Sequence, residues 1–170
     1  GTFYGQNHIV SGMYIEVKPS DESFMGLFGY IGSDSEVIPT ISNVGIQASV
    51  IASAPHNANS FGQTALLVGT LRKGNISQCF AKGKIMSEEL SYSTGGLVGF
   101  LGGRYGGETF EGSFTDNFTH VDILCETSGS GLVGSSNDGK KVTLTNGYAV
   151  GKSYRGAFSG SASTAILSGI

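Results

Sequence analysis

The residues best equipped for chemistry in this chain are His120, Asp122, Asp116 and Glu126. His120 and Asp122 lie two apart in the run His120-Val121-Asp122-Ile123-Leu124, so in an extended strand their side chains share one side. An imidazole beside carboxylates suits proton transfer or metal ligation. With Val121, Ile123 and Cys125 turned inward, the same two residues become the solvated face of a strand, and this plainer reading is adopted. A glycosidase pair would also have to stand about 5–10 Å apart across a cleft, an arrangement that the sequence alone does not establish.

Other candidates reduce in the same way. Asp21-Glu22, Glu88-Glu89 and the nearby Asp34 and Glu36 fall in turn-like stretches without the alternating ligands of a calcium loop, so they read as exposed corner charges. Gly102-Gly103-Arg104-Tyr105-Gly106-Gly107 lacks the Gly-Lys-Ser/Thr and the following helix of a phosphate loop, and reads as a protruding corner. Asn75-Ile76-Ser77 and Asn117-Phe118-Thr119 match the glycosylation sequon. Two cysteines are too few for a disulfide scaffold. Cys79 falls in an inward column with Met13 and Val44, and Cys125 falls elsewhere in its repeat, so two buried thiols are expected. No cofactor and no metal are expected.

The elements that must position these residues are repeats. One motif recurs as Gly26-Leu27-Phe28-Gly29, Leu66-Leu67-Val68-Gly69, Gly96-Leu97-Val98-Gly99 and Gly131-Leu132-Val133-Gly134, with a degenerate Gly156-Ala157-Phe158-Ser159. A second motif is a triplet. Its first position is apolar (Val10, Ile41, Ile76, Phe114, Leu144, Leu167) and its second a hydroxyl (Ser11, Ser42, Ser77, Thr115, Thr145, Ser168). Its third is small or polar: Gly12, Asn43, Gln78, Asp116, Asn146 and Gly169. Two residues further on stand Tyr14, Phe80, Phe118 and Tyr148, with Gly45 the exception.

The triplets are 31, 35, 38, 30 and 23 residues apart. Stacked helical pairs do not tolerate such irregular spacing, whereas β coils admit insertions at their corners. Short β-branched and aromatic runs bounded by Gly, Ser and Asn agree with this. The predicted fold is all-β, a right-handed parallel β-helix or solenoid of about five irregular rungs, one domain over residues 1–170. Leu27, Leu67, Leu97 and Leu132 should stack in one inward column, and Val10, Ile41, Ile76, Phe114 and Leu144 in another. The glycines of the first motif should either turn corners at positive φ or permit close backbone approach. The hydroxyls and the polar third positions should form ladders.

The 28 glycines against 3 prolines fit a chain with many tight corners, and 39% hydrophobic residues argue against a disordered linker. A net charge of −3 disfavours nucleic acid as a partner. No run approaches the ~18 apolar residues of a membrane span, so no membrane insertion is expected. The chain opens at Gly1 inside patterned sequence, so a piece of a larger exported protein is expected, with neighbouring domains of the same chain as contacts.

The motifs resemble those of the GLUG-repeat proteins. The matching stretches are TGGLVGF at 94–100, SGLVGSS at 130–136, FMGLFGYIG at 24–32, ISNVGI at 41–46 and NISQCFAKG at 75–83, and GTFYGQNHIVSGMYI resembles the lead-in to such repeats. Residues 33–40 and 101–113 depart from the pattern as corner insertions would. The resemblance implies a secreted or cell-surface setting in bacteria, among adhesins and the non-catalytic parts of immunoglobulin A peptidases.

Parallel β-helices also carry polysaccharide lyases and hydrolases, whose sites align charged residues on adjacent rungs. Here only Asp116 is charged at the triplet's third position, so no enzyme is expected. The function expected is a non-catalytic binding module that contacts a host protein or glycan. The alternatives are a structural spacer or peptidase-associated domain, and a carbohydrate-active enzyme. Binding should use the variable insertions, with Arg104, Tyr105 and Phe110 in one and His56 and Phe61 in another as anchors.

Overall fold

A computed structural model describes residues 1–17, 24–32, 36–52, 62–87, 93–103, 109–124, 129–136, 143–152 and 166–168. The strands fall into tiers that follow the motifs. The first tier holds β1 (Thr2–Val17), β2 (Phe24–Met25) and β3 (Phe28–Ile31). The second holds β4 (Thr40–Ala52), β5 (Gln63–Thr64) and β6 (Val68–Leu71), and the third β7 (Lys73–Ser77), β8 (Phe80–Ser87), β9 (Ser93–Thr94) and β10 (Val98–Leu101). Then come β11 (Glu111–Thr115), β12 (Phe118–Leu124) and β13 (Val133–Ser136), followed by β14 (Thr143–Thr145), β15 (Tyr148–Val150) and β16 (Ile166–Ser168).

The fold is all-β, with no helix among the described residues, so none there is long and apolar enough to cross a membrane. Every strand ladder described is parallel, and the sheets curl into a half-barrel around one core. The largest sheet runs β15-β12-β8-β4-β7-β11-β14-β16, with β1 on β4; the others run β13-β10-β6-β3 and β2-β5-β9. The two arms of the largest sheet meet in β4, which is long enough to serve both.

Equivalent residues lie over one another. Ile41 pairs with Ile76, Ile76 with Phe114, Phe114 with Leu144 and Leu144 with Leu167, while Ser42, Ser77, Thr115, Thr145 and Ser168 follow alongside. The Leu file is tied by its backbone: the Phe28 N–H donates to Leu67 O at 2.9 Å, Val68 to Leu97 O at 3.0 Å and Val98 to Leu132 O at 3.0 Å. Both files enter the same buried core, although Leu27 is only partly buried.

The first triplet does not sit where its residue types suggest. Phe3 lies over Ile41 and Tyr4 over Ser42, whereas Val10 lies over Ile46 and Tyr14 over Ser49. Met13 accordingly lies over Ala48, outside the file of Cys79 and Val44. The cause is local. The first corner carries extra residues between Tyr4 and His8, with Gln6 and Asn7 at φ 52° and 63°, and Gly12 is a second irregularity at φ 72°. Val10-Ser11-Gly12 therefore imitates the triplet while marking a bulge.

In the other tiers the triplet's third residue is the corner. Asn43, Gln78, Asp116 and Asn146 have φ of 56°, 53°, 56° and 51°, the left-handed region that Asn and Asp tolerate best among non-glycines. The twist keeps the ladder intact. Gln78 N–H donates to Thr115 O at 3.0 Å and Asp116 N–H to Thr145 O at 2.9 Å. Between side chains, Asn146 Nδ2 donates to Asp116 Oδ1 at 2.7 Å. Gln78 is exposed and gains least from a side chain here. Gln78→Gly should relieve left-handed strain of about 1–2 kcal/mol at an entropic cost of about 0.5–1, a net gain of roughly 0.5–1 kcal/mol readable by urea denaturation.

The glycines of the first motif work differently. None of Gly26, Gly29, Gly69, Gly96, Gly99, Gly131 and Gly134 adopts positive φ. Gly69, Gly99 and Gly134 instead lie where the four-stranded sheet meets the three-stranded one backbone to backbone. A Cβ on Gly99 would stand 2.6 Å from Gly69 O and 2.7 Å from Thr64 N, closer than real Cβ atoms come. Of the two roles open to these glycines, close approach is the one that Gly69, Gly99 and Gly134 fill.

Candidate binding face

The strands β1, β4, β8, β12 and β15 share one outward face. Their inward residues alternate with outward ones, as the pleat requires. Ile46, Ala81 and Thr119 are fully buried, while Gln47, Lys82 and His120, one step along, are exposed. Three outward files result. The first is Ile9, Gly45, Phe80, Phe118 and Tyr148; the second Ser11, Gln47, Lys82, His120 and Val150; the third Tyr14, Ser49, Lys84 and Asp122.

The first file is aromatic and wet. Phe118 is 41% exposed and Tyr148 48%. Gly45 interrupts it for a steric reason: the Phe80 ring lies over Gly45 and fills the place of a Cβ. Lys82 and Lys84 stand in the second and third files, on one side of the aromatic one, and among the described residues neither has a carboxylate partner. Beside Gly12 lies a shallow cleft of about 340 Å³ lined by Met13, Tyr14, Gln47, Ser49 and Lys82. The surface therefore offers flat rings, ammonium groups and amide and hydroxyl partners within a few strands.

The carboxylates have structural work. Asp122 Oδ1 accepts the Lys152 backbone N–H at 2.9 Å, and Asp116 Oδ1 is held by Asn146. His120 is exposed between Lys82 and Val150 in its file. Among the described residues no group of three or more His, Cys, Asp or Glu could hold a metal ion. Glu126 and Cys125 lie outside the described residues, as do Asp21, Glu22, Asp34, Glu88 and Glu89.

Of the anchors expected in the insertions, Arg104, Tyr105, His56 and Phe61 lie outside the described residues. Phe110 is described, and it corrects the expectation of an exposed ring. It is half-buried and packs on the core, its ring 5.6 Å from that of Phe114. The outward file and its lysines were missed as a site. The signal was present in Phe80-Ala81-Lys82-Gly83-Lys84-Ile85, where large polar or aromatic residues alternate with small or apolar ones.

Beneath the same arm lies a buried polar clasp, also missed. Asn117 is 3% exposed, in the place filled by Cys79 one tier earlier. Its Oδ1 accepts the Cys79 N–H at 3.1 Å and its Nδ2 donates to Ile76 O at 3.0 Å. These are the backbone groups on either side of the Gln78 corner. A glycan on Asn117 would break both of these bonds. Thr119 adds a second cross-link, its Oγ1 donating to Gly131 O at 2.8 Å.

Cys79 is a free thiol in this corner, its Sγ 3.2 Å from Ser77 O. Burial pushes its pKa above the ordinary thiol value, against smaller opposing effects of backbone hydrogen bonds. A raised folded-state pKa gives stability that is complete below the unfolded thiol pKa and lost as pH rises through the folded value. Urea denaturation in a Cys125→Ser background should therefore show stability falling above about pH 8.5, and Cys79→Ala should remove that part of the decline. In the same Cys125→Ser background, folded protein at neutral pH should label slowly with a thiol reagent.

Comparison with known proteins found no matching family model, no matching curated protein and no matching solved structure.

Proposed function

We propose that this chain is a non-catalytic, extracellular binding module of a bacterial surface protein, and that its ligand is a glycan bearing carboxylate or sulfate groups. In this reading the tiers are rungs of a right-handed β-solenoid of the GLUG-repeat kind. The outward file of half-buried Phe80 and exposed Phe118 and Tyr148, with Lys82 and Lys84 on the same face, is the observation that carries the proposal.

Flat sugar faces stack on aromatic rings, and successive tiers place rings at about 4.8 Å intervals along the file. That spacing is close to the length of one pyranose, so one chain could lie along the file and touch successive rings. Ammonium groups beside the file would favour acidic residues of the chain. The structural duties of Asp116 and Asp122 favour a binding role over acid–base chemistry.

The test is retention on immobilised polygalacturonate and chondroitin sulfate against neutral dextran. Wild-type protein should prefer the acidic polymers. Phe118→Ala/Tyr148→Ala should weaken that binding at least tenfold, about 1.4 kcal/mol, and Lys82→Glu/Lys84→Glu should abolish the preference. Equal retention of all three polymers, or indifference to both double variants with the circular dichroism unchanged, would exclude this face as a glycan site.

A further inference from the structure

The other arm of the largest sheet, β4-β7-β11-β14, carries a different outward face. Ile41, Ile76, Phe114 and Leu144 are buried in the core, so the residues on either side of each point out. On three successive strands these are Thr40 and Ser42, Asn75 and Ser77, and Ser113 and Thr115. Thr145 continues the second file on the fourth strand. The two files hold only hydroxyls and one amide, with no ionisable group.

The array is open and regular. Ser113 is exposed and the others are half-buried, as expected of short side chains with neighbours on both sides, whereas Thr70 and Thr119 elsewhere are fully buried. The ladders cross all four strands without a register shift. The outward groups therefore repeat about every 4.8 Å across the strands and about every 6.6 Å along them. Ser113 Oγ donates to Asn75 Oδ1 at 2.9 Å, which keeps these two side chains in line. At one margin Lys73 and Glu111 pair with each other at 3.1 Å, and at the other Asp116 is held by Asn146.

We infer that this face binds ice. A grid of neutral groups, most of which both donate and accept hydrogen bonds, offers little to a charged ligand or to an apolar one. Its order in two directions serves a ligand that is itself periodic in two directions, whereas a single polymer strand would engage one file. The prism face of ice is such a ligand. Each of its waters donates and accepts, and its oxygens repeat in two perpendicular directions at intervals close to those of the grid. The hydroxyls then stand in for lattice waters. This inference is independent of the glycan reading, which uses the other arm of the sheet.

Ice-crystal shaping and thermal hysteresis test it. Wild-type protein should facet ice crystals and hold their growth below the melting point. Ser42→Lys/Thr115→Lys, two tiers apart so that the ammonium groups do not face each other, should abolish both effects with the circular dichroism unchanged. Phe118→Ala/Tyr148→Ala should leave both intact. Ser42→Thr/Ser77→Thr keeps the hydroxyls, fixes χ1 and suits a strand, so it should widen the hysteresis gap. That gain decides the matter should the lysines disturb the fold. Unshaped crystals with wild-type protein, hysteresis that survives the lysine pair, or retention on crystalline cellulose in place of ice overturns the assignment.

Discussion

Gly99→Ala should lower the stability of this chain by about 3 kcal/mol or more, at the upper end of what overpacking costs. The reason lies in the sheet junction. Gly99 faces Gly69 O at 2.6 Å, Thr64 N at 2.7 Å and Thr64 O at 2.9 Å, measured from the place a Cβ would take. All three are backbone atoms held in parallel ladders, so none can rotate away. To admit a methyl group, the four-stranded sheet must lift from the three-stranded one, and the file of Leu67, Leu97 and Leu132 lifts with it. Gly29→Ala is the internal comparison. It belongs to the same motif, but its nearest atom is Phe24 O at 3.0 Å and the next is 3.8 Å away. It should cost about 1 kcal/mol or less. At the roughly 2–4 °C per kcal/mol expected of a chain this size, thermal melts should separate the two variants clearly.

Asn117→Ala should destabilise by a similar amount through different physics. The side chain makes two buried hydrogen bonds to the backbone of the preceding tier, at Cys79 N and Ile76 O. Its removal leaves a buried donor and a buried acceptor without partners, each costing about 1–3 kcal/mol. Asn117→Asp separates the two contributions. The carboxylate still accepts from Cys79 but cannot donate to Ile76 while ionised, and it is a buried charge. Its pKa should be raised in the folded state, so this variant should be most stable at acid pH and lose stability as pH rises through the folded pKa. Asn117→Ala should show no such pH dependence. Urea titrations at pH 4 and pH 7 measure the difference.

Much of the architecture was legible because the repeats carry it twice, once in apolar positions and once in corner chemistry. Ile41, Ile76, Phe114 and Leu144 keep their residue class and their place. Asn43, Gln78, Asp116 and Asn146 do so too, although their shared left-handed backbone, rather than a side-chain ladder alone, accounts for the choice of residues. The first tier was misread because a bulge glycine after an apolar-hydroxyl pair looks identical to the motif, and only pairing with β4 distinguishes them. Asn117 was unreadable for a related reason. Its equivalents are Val44, Cys79 and Gly147, so a polar residue there looks like a surface position or a sequon, not a clasp beneath a corner. The outward aromatic file was seen as a pattern, but not its direction. Which way a strand faces depends on how many residues each corner uses.

The claim on which the rest stands is that equivalent residues of successive tiers are nearest neighbours along one line. Nuclear Overhauser contacts between leucine and valine methyl groups test it without altering the chain. Leu67 should show cross-peaks to Leu97, and Leu97 to Leu132, with none between Leu67 and Leu132, which stand two tiers or roughly 10 Å apart. A direct Leu67–Leu132 contact, or a Leu97 whose methyls meet neither of its motif equivalents, would contradict the stacking outright.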